Sequence, residues 1–342
     1  MRLEDLDYEL PEELIAQHPP ERREDARMLV VERATGKLHD QRVSDLPHWL
    51  RPGDRLALNE TRVRPARLLV RRPTGGRVEL FVVRPEPGGR WRVLTKPAKH
   101  APPGAVLGLE DGSLEVTIES AGERGERVVA IRKGDLDAAL RAHGEIPLPP
   151  YIRRAPDAND LVRYQTVFAR VDGAVASPTA GLHFTDELLA RLAAQGVGHS
   201  RVLLHVGPGT FRPVTVDDPR DHDMDEEWYE VTPQAAAELN GARATGGRIV
   251  VVGTTSVRAL ESACDAAGGA LAPGAGWTRK FIHAPYRFQA CDALMTNFHL
   301  PRTTLLLLVA ALTGDELLRA AYAHAVRERY RFYSFGDSML VV

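Results

Sequence analysis

The sequence predicts an α/β protein in which a small antiparallel β-barrel is inserted into a main domain built on a mixed sheet. Two observations carry this expectation. From Ala66 to about Lys133 apolar residues recur at every second position in the short segments RLLVRR, RVELFVVRPE, RWRVLTKP, SLEVTIESA and ERVVAIRK, separated by the turns TGG, EPGG and EDGS. Alternation is the signature of a strand with one buried face, and several such strands with glycine-rich turns and no helix between them suggest a small barrel. Outside that block strands alternate with amphipathic helices, the pattern of α/β architecture.

Taken in order, RMLVVER and DRLALN read as strands ahead of the barrel. Pro65 marks the near limit of the barrel, and the helical stretch DLDAALRAHG with the linker GEIPLPPYI marks the far one. The main domain is therefore expected over 1–64 and 134–342, and the barrel over 65–133. In TDELLARLAAQG, Thr185 is an N-cap candidate, acids occupy the first turn and Gly196 stops the helix. SRVLLHV follows as a strand. GRIVVVG is a buried strand running into the helix TTSVRALESACDAAG, and DALMTNF is another, running into one helix over TTLLLLVAALTGDELL.

A chain of 342 residues, 44% hydrophobic and 26% charged, can bury a substantial core. The opening MRLEDLDYELPEEL has acids where a signal peptide needs a basic and then an apolar stretch. The longest apolar run, Leu305 to Leu312, falls far short of the ~20 residues that span a bilayer. A cytoplasmic protein without membrane attachment is expected. Cys264 and Cys291 stand in no paired spacing, so neither a disulfide framework nor a structural zinc is implied. From Arg62 to Lys99, by contrast, the chain carries eleven Lys or Arg against Glu79 and Glu86, although its net charge is only −2. That segment suits either a nucleic acid or a solvated basic surface.

Three junctions could carry chemistry, because open α/β sheets bind ligands at the carboxyl ends of their strands. In GTTSVR, Gly253 turns the chain, and Thr254, Thr255 and Ser256 offer hydroxyls beside open helix N–H groups, with Arg258 on the first turn. This suits a carboxylate or phosphate, or is simply a helix start. In LLHVGPGTF, His205 ends a strand, and the turn of Gly207, Pro208, Gly209 and Thr210 lets a flat ligand approach the backbone. SPTAGLHF and TNFHLP place His183 and His299 each beside a Phe, as acid/base candidates or as core residues. The acidic stretch from Asp217 to Glu230 has no recognisable ligand spacing, reads as a solvated loop, and gives no metal site. No GxGxxG, Walker or GxSxG pattern is present.

Together, the segments DYELPEELIAQHP, LNETRVRPARL, TGGRVEL, GEIPLPPYI, RYQTVFA, SPTAGLHFT, LLHVGPGTFRPV, VVGTTSVRALES, DALMTNFHLP and RYRFYSFGDSML resemble the S-adenosylmethionine:tRNA ribosyltransferase-isomerase family along essentially the whole chain. The resemblance implies an α/β domain with an inserted barrel. It also implies a reaction in which the ribose of the co-substrate S-adenosylmethionine becomes an epoxycyclopentanediol on 7-aminomethyl-7-deazaguanine at the tRNA wobble position, with adenine and methionine leaving.

That chemistry needs a base for the 5′ C–H acidified by the sulfonium, an acid for departing adenine and a neutral aminomethyl nucleophile. His205 and His299, then His183, are the acid/base candidates. Thr254, Thr255, Ser256 and Arg258 are the candidates for the methionine carboxylate, with Glu261 orienting Arg258 from the same helical face, and Gly207, Gly209 and Thr210 forming the turn beneath the donor. Arg62, Arg64, Arg67, Arg71, Arg72, Arg77, Lys96 and Lys99 are the candidate tRNA contacts, and a monomer is expected. One departure stands out. Where the family is expected to show H-x-M-H, this chain has HDMD, keeping His222 and Met224 but carrying Asp225. A carboxylate there accepts a proton but donates none near neutral pH unless its pKa is raised. A tRNA-binding paralogue without activity and a methyltransferase are the alternatives.

Overall fold

The computed structural model of the chain describes residues 7–210, 214, 216 and 218–342, together with the Phe211 backbone but not its side chain. Of the segments singled out above, the six-residue start and Arg212, Pro213, Thr215 and Asp217 lie outside the described residues.

In chain order, β1 (Arg27–Val31), β2 (Leu38–Arg42) and the short α1 (Leu46–Trp49) lead to β3 (Arg55–Asn59) and β4 (Thr61–Val63). The barrel strands are β5 (Arg67–Arg71), β6 (Arg77–Glu86), β7 (Arg90–Lys96), β8 (Val106–Gly108), β9 (Glu115–Ala121) and β10 (Glu126–Lys133). Then come α2 (Leu136–His143), α3 (Asp160–Arg163), β11 (Val171–Ala174), α4 (Asp186–Ala194), β12 (Gly198–Leu204), β13 (Glu227–Val231) and α5 (Pro233–Ala244). The chain finishes with β14 (Ile249–Val252), α6 (Thr254–Ala266), β15 (Gly274–Thr278), β16 (Ala293–Asn297), α7 (Thr304–Thr313), α8 (Asp315–Arg327) and β17 (Ser338–Val341).

The main sheet has nine strands in the order β15-β13-β12-β3-β14-β16-β17-β1-β2. Its centre, β12-β3-β14-β16, is parallel, while β17 runs antiparallel to β16 and β13 antiparallel to β12. Both faces of the centre are covered, which is why IVVV and the ALM of ALMTN are apolar at successive positions and both strands are buried throughout. Leu29, Val31, Val251 and Leu294 pack against Leu239, Leu260, Leu308 and Leu318 from α5 to α8. Met28, Val30, Val250 and Met295 pack against Leu46 of α1 and Leu188 and Leu192 of α4.

The barrel closes in the order β10-β7-β6-β5-β8-β9 around Leu68, Val70, Leu80, Val93, Val116 and Val129, with Leu136 and Leu140 of α2 packed onto it. Its strand β8 is too short to show an alternation, and so was not expected. One expectation is corrected: TTLLLLVAALTGDELL is two helices, α7 and α8, parted at Gly314, whose φ of 83° is a left-handed conformation that interrupts the helical ladder.

Candidate active site

Because β12, β3, β14 and β16 run parallel, Leu204, Asn59, Val252 and Asn297 all end at one edge of the sheet. Asn59 ties two of these ends together: its Nδ2 donates to Leu204 O at 2.9 Å and to Thr255 Oγ1 at 3.3 Å, and its Oδ1 accepts from Leu204 N. After β14, Gly253 takes a φ of 87°, and α6 begins with no side-chain cap, so its first N–H groups are left for another acceptor. Ser256 Oγ turns back to Val252 O at 2.6 Å and is no longer free for a ligand.

A cleft opens over this edge between Gly253–Thr255, Ser177–Ala180, Thr296–Leu300 and Tyr333–Ser334. Thr210 also lines it. Three of the residues that line it carry a buried polar atom, Ser177 Oγ, Asn297 Oδ1 and the Tyr333 hydroxyl, with no hydrogen-bond partner among the described residues. Buried polar groups are almost always satisfied, so such a set marks a place prepared for a polar ligand. Tyr333 also holds a φ of 73°, strained for a bulky residue, and its ring lies 4.1 Å from that of Tyr151 on the same wall.

The three histidines fall in three places. His299 lines the cleft, with Nε2 2.8 Å from Thr296 Oγ1, and burial lowers its pKa to about 3. His183 stands behind the wall: its Nε2 is 3.2 Å from Asn297 Nδ2, and burial, then the charges of Arg23 and Arg331, lower its pKa to about 4. His205 does not line the cleft. Its Nδ1 is 2.8 Å from Thr61 Oγ1 and its ring packs on Gly173, where any side chain would collide with it. Burial, then Arg64, lower its pKa.

A second cleft meets the first at Thr210 and is lined by Asp221, Asp223, Asp225, Glu227, Arg258 and the barrel residue Arg124, with Gly209 on its floor against the Asp225 carboxylate. Glu227 organises it. Its Oε1 accepts from Gly207 N and Thr210 Oγ1, both at 2.7 Å, and its Oε2 pairs with Arg258 Nη1. Both charges are buried, so Glu227 is not part of a solvated loop as the sequence suggested. Arg258, the candidate for the methionine carboxylate, is largely engaged: Nη1 is paired and Nε donates to Lys280 O, while Nη2 is buried without a partner among the described residues. Glu261 does not orient it. That carboxylate accepts from the Tyr286 hydroxyl and from Gln289 N and Ala290 N, pinning a loop. Glu227 was missed because its partners are distant in sequence; its inward place in the alternation of β13 was the only local signal.

The profile of the Queuosine biosynthesis protein family matches residues 3–341. The chain belongs to that family. It is 52% identical to the S-adenosylmethionine:tRNA ribosyltransferase-isomerase of Symbiobacterium thermophilum over all of both chains. It is 53% identical to that of Anaeromyxobacter dehalogenans, over 100% of this chain and 99% of the relative. A solved S-adenosylmethionine tRNA ribosyltransferase from Thermotoga maritima is 34% identical with a TM-score of 0.57, covering 99% of this chain and 100% of that one.

In this queuosine biosynthesis family member the basic segment is less exposed as charge than its composition suggests. Folding brings acids to it from elsewhere: Asp172 to Arg62, Asp137 to Arg64 and Glu110 to Arg71, at 3.9, 3.7 and 3.1 Å, while Glu79 meets Arg67 at 3.5 Å. Arg72, Arg77, Lys96 and Lys99 have no ion partner among the described residues, and all but the half-buried Arg72 are exposed. Among the described residues no helix is long and apolar enough to cross a membrane.

Proposed function

We propose that this chain transfers and isomerises the ribosyl group of S-adenosylmethionine onto 7-aminomethyl-7-deazaguanine at the wobble position of tRNA, giving epoxyqueuosine, adenine and methionine. Family membership and the names of the relatives support the reaction. The observation that carries the site is the pair of unlike clefts sharing Thr210, one uncharged with unpartnered polar atoms and one charged. A donor with an uncharged base and a charged amino-acid end matches that pair. Its base and ribose lie in the first cleft against Thr254 and Thr255. Its methionine end crosses Gly207, Gly209 and Thr210, where Arg258 Nη2 is available to the carboxylate and the acids to the ammonium and sulfonium.

His299 is the imidazole within reach of the reacting ribose, and as a neutral ring it accepts a proton rather than donates one. Asp223 and Asp225 favour the approach of the aminomethyl group of the base. The barrel cations, above all Arg72, Arg77, Lys96 and Lys99, meet the tRNA backbone. Both clefts and the barrel belong to one chain, so a monomer suffices, and a cytoplasmic setting fits a tRNA substrate. The test is mass spectrometry of the tRNA and small molecules after incubation with S-adenosylmethionine. Adenine, methionine and the modified base support the proposal. S-adenosylhomocysteine would mean a methyltransferase, and RNA binding without turnover a binding module.

A further inference from the structure

We infer that the wall of the uncharged cleft reads the edge of the adenine base, Asn297 Oδ1 accepting from the exocyclic amino group and the Ser177 or Tyr333 hydroxyl donating to the adjacent ring nitrogen, with His183 as the positioning residue that aims Asn297. The inference rests on the donor reading above. It begins with the Asn297 amide. Its Nδ2 lies 3.2 Å from His183 Nε2, 3.1 Å from Tyr333 O and 3.4 Å from Asp337 O. The two carbonyls can only accept, so the amide nitrogen must face them, and Oδ1 of this cleft-lining residue is left as a buried acceptor without a donor among the described residues.

His183 takes part in the same assignment. Facing an N–H, its Nε2 must present a lone pair, which requires a neutral ring protonated at Nδ1. Burial keeps it neutral, and the Arg23 backbone engages it by a hydrogen bond. A protonated His183 would press an N–H against Asn297 Nδ2 and displace the amide from its place against the two carbonyls. His183 therefore acts through Asn297 and touches no reacting atom.

The ligand follows from the wall. Asn297 Oδ1 is an acceptor, whereas the Ser177 and Tyr333 hydroxyls can donate. Adenine offers the complementary pair on its six-membered edge: an amino donor beside a ring-nitrogen acceptor. A 6-oxo purine offers the reverse. The ammonium of the methionine end also carries N–H donors, but among the described residues no side chain lining this cleft is ionised at neutral pH, His299 included, and the tyrosine rings of Tyr151 and Tyr333 favour a flat group.

The test is titration calorimetry of the full chain with S-adenosylmethionine and with its deaminated 6-oxo counterpart. Wild type should prefer the amino form by on the order of tenfold to a hundredfold, because the 6-oxo form leaves a buried acceptor facing an oxygen. His183→Leu should bring the ratio toward one, His183→Gln, which can still accept from Asn297, should restore it, and the wild-type ratio should stay flat between about pH 6 and 9. Asn297→Ser, checked for folding by thermal melting, should lose the preference as well. Equal wild-type affinity for the two forms, or a preference unchanged in folded His183→Leu and Asn297→Ser, overturns the inference while leaving the donor reading intact. Failure of wild type to bind S-adenosylmethionine overturns both.

Discussion

The two clefts that meet at Thr210 are built on opposite electrostatic principles. In the charged cleft the buried groups satisfy one another: Glu227 holds Gly207 N, Thr210 and Arg258, and among the described residues Arg258 Nη2 is left without a partner. In the uncharged cleft Ser177, Asn297 and Tyr333 each keep a polar atom without a partner among the described residues. The first arrangement resists the loss of any member, since removing one partner strands a buried charge. The second costs stability while empty and recovers it when a ligand supplies the partners. The contrast teaches that the buried charges here organise the site while the unpaired neutral groups select what enters it.

The sharpest way to break this comparison is at Glu227. Glu227→Ala should destabilise the fold by about 3–5 kcal/mol in denaturant unfolding, because Arg258 remains buried and unpaired. Ser177→Ala, which deletes an unpartnered hydroxyl, should leave stability within about 0.5 kcal/mol or raise it. Equal losses in the two variants would refute the distinction.

Turnover separates the histidines in the same way. His299→Gln should lower the rate of adenine release at saturating substrates by roughly 10² to 10⁴, as expected for a group acting in proton transfer. His205→Gln, whose ring faces Thr61 and Gly173 outside the cleft, should change it only a few-fold. A larger loss at His205 would move the reacting centre toward the Thr61 side.

A third outcome concerns pH. His299 and His183 have folded pKa values of about 3 and about 4, well below that of an unfolded histidine. The unfolded state therefore binds more protons below about pH 6.5, and stability falls as the pH drops. Each ring contributes a slope of up to about 1.4 kcal/mol per pH unit; the contribution of His183 levels off near its folded pKa and that of His299 about one unit lower. Unfolding free energies of wild type and of His183→Gln/His299→Gln across pH 7 to 4 should converge toward acid. Parallel curves would show that the rings are not neutral in the fold.

The smallest effect is expected on the barrel. Charge reversal at Arg72 or Arg77 should reduce the slope of log affinity for tRNA against log salt by roughly 0.7 to 0.9 for each lost phosphate contact. Reversal at Arg71, already paired with Glu110, should reduce it less. Equal slopes across the three variants would mean that the pairing with Glu110 gives way when RNA binds.

The sequence by itself determined the α/β class, the closed barrel, most central strands and the helix starts, because these rest on local periodicity and local caps. Thr185 does cap α4 through a bond from Leu188 N, and Gly253 does part β14 from α6. The same locality limited it. The TTSVRALESAC stretch looks half polar, yet it is buried from Thr254 to Cys264, and nothing within it shows that Arg258 would meet Glu227 rather than Glu261. Nor could the run of arginines from Arg62 reveal which of them Asp172, Asp137 and Glu110 would neutralise. Tertiary structure alone decided which histidine enters the cleft, which stands behind Asn297 and which faces Thr61. Those assignments depend on which strand ends lie side by side, and a strand's own residues set its faces but not its neighbours.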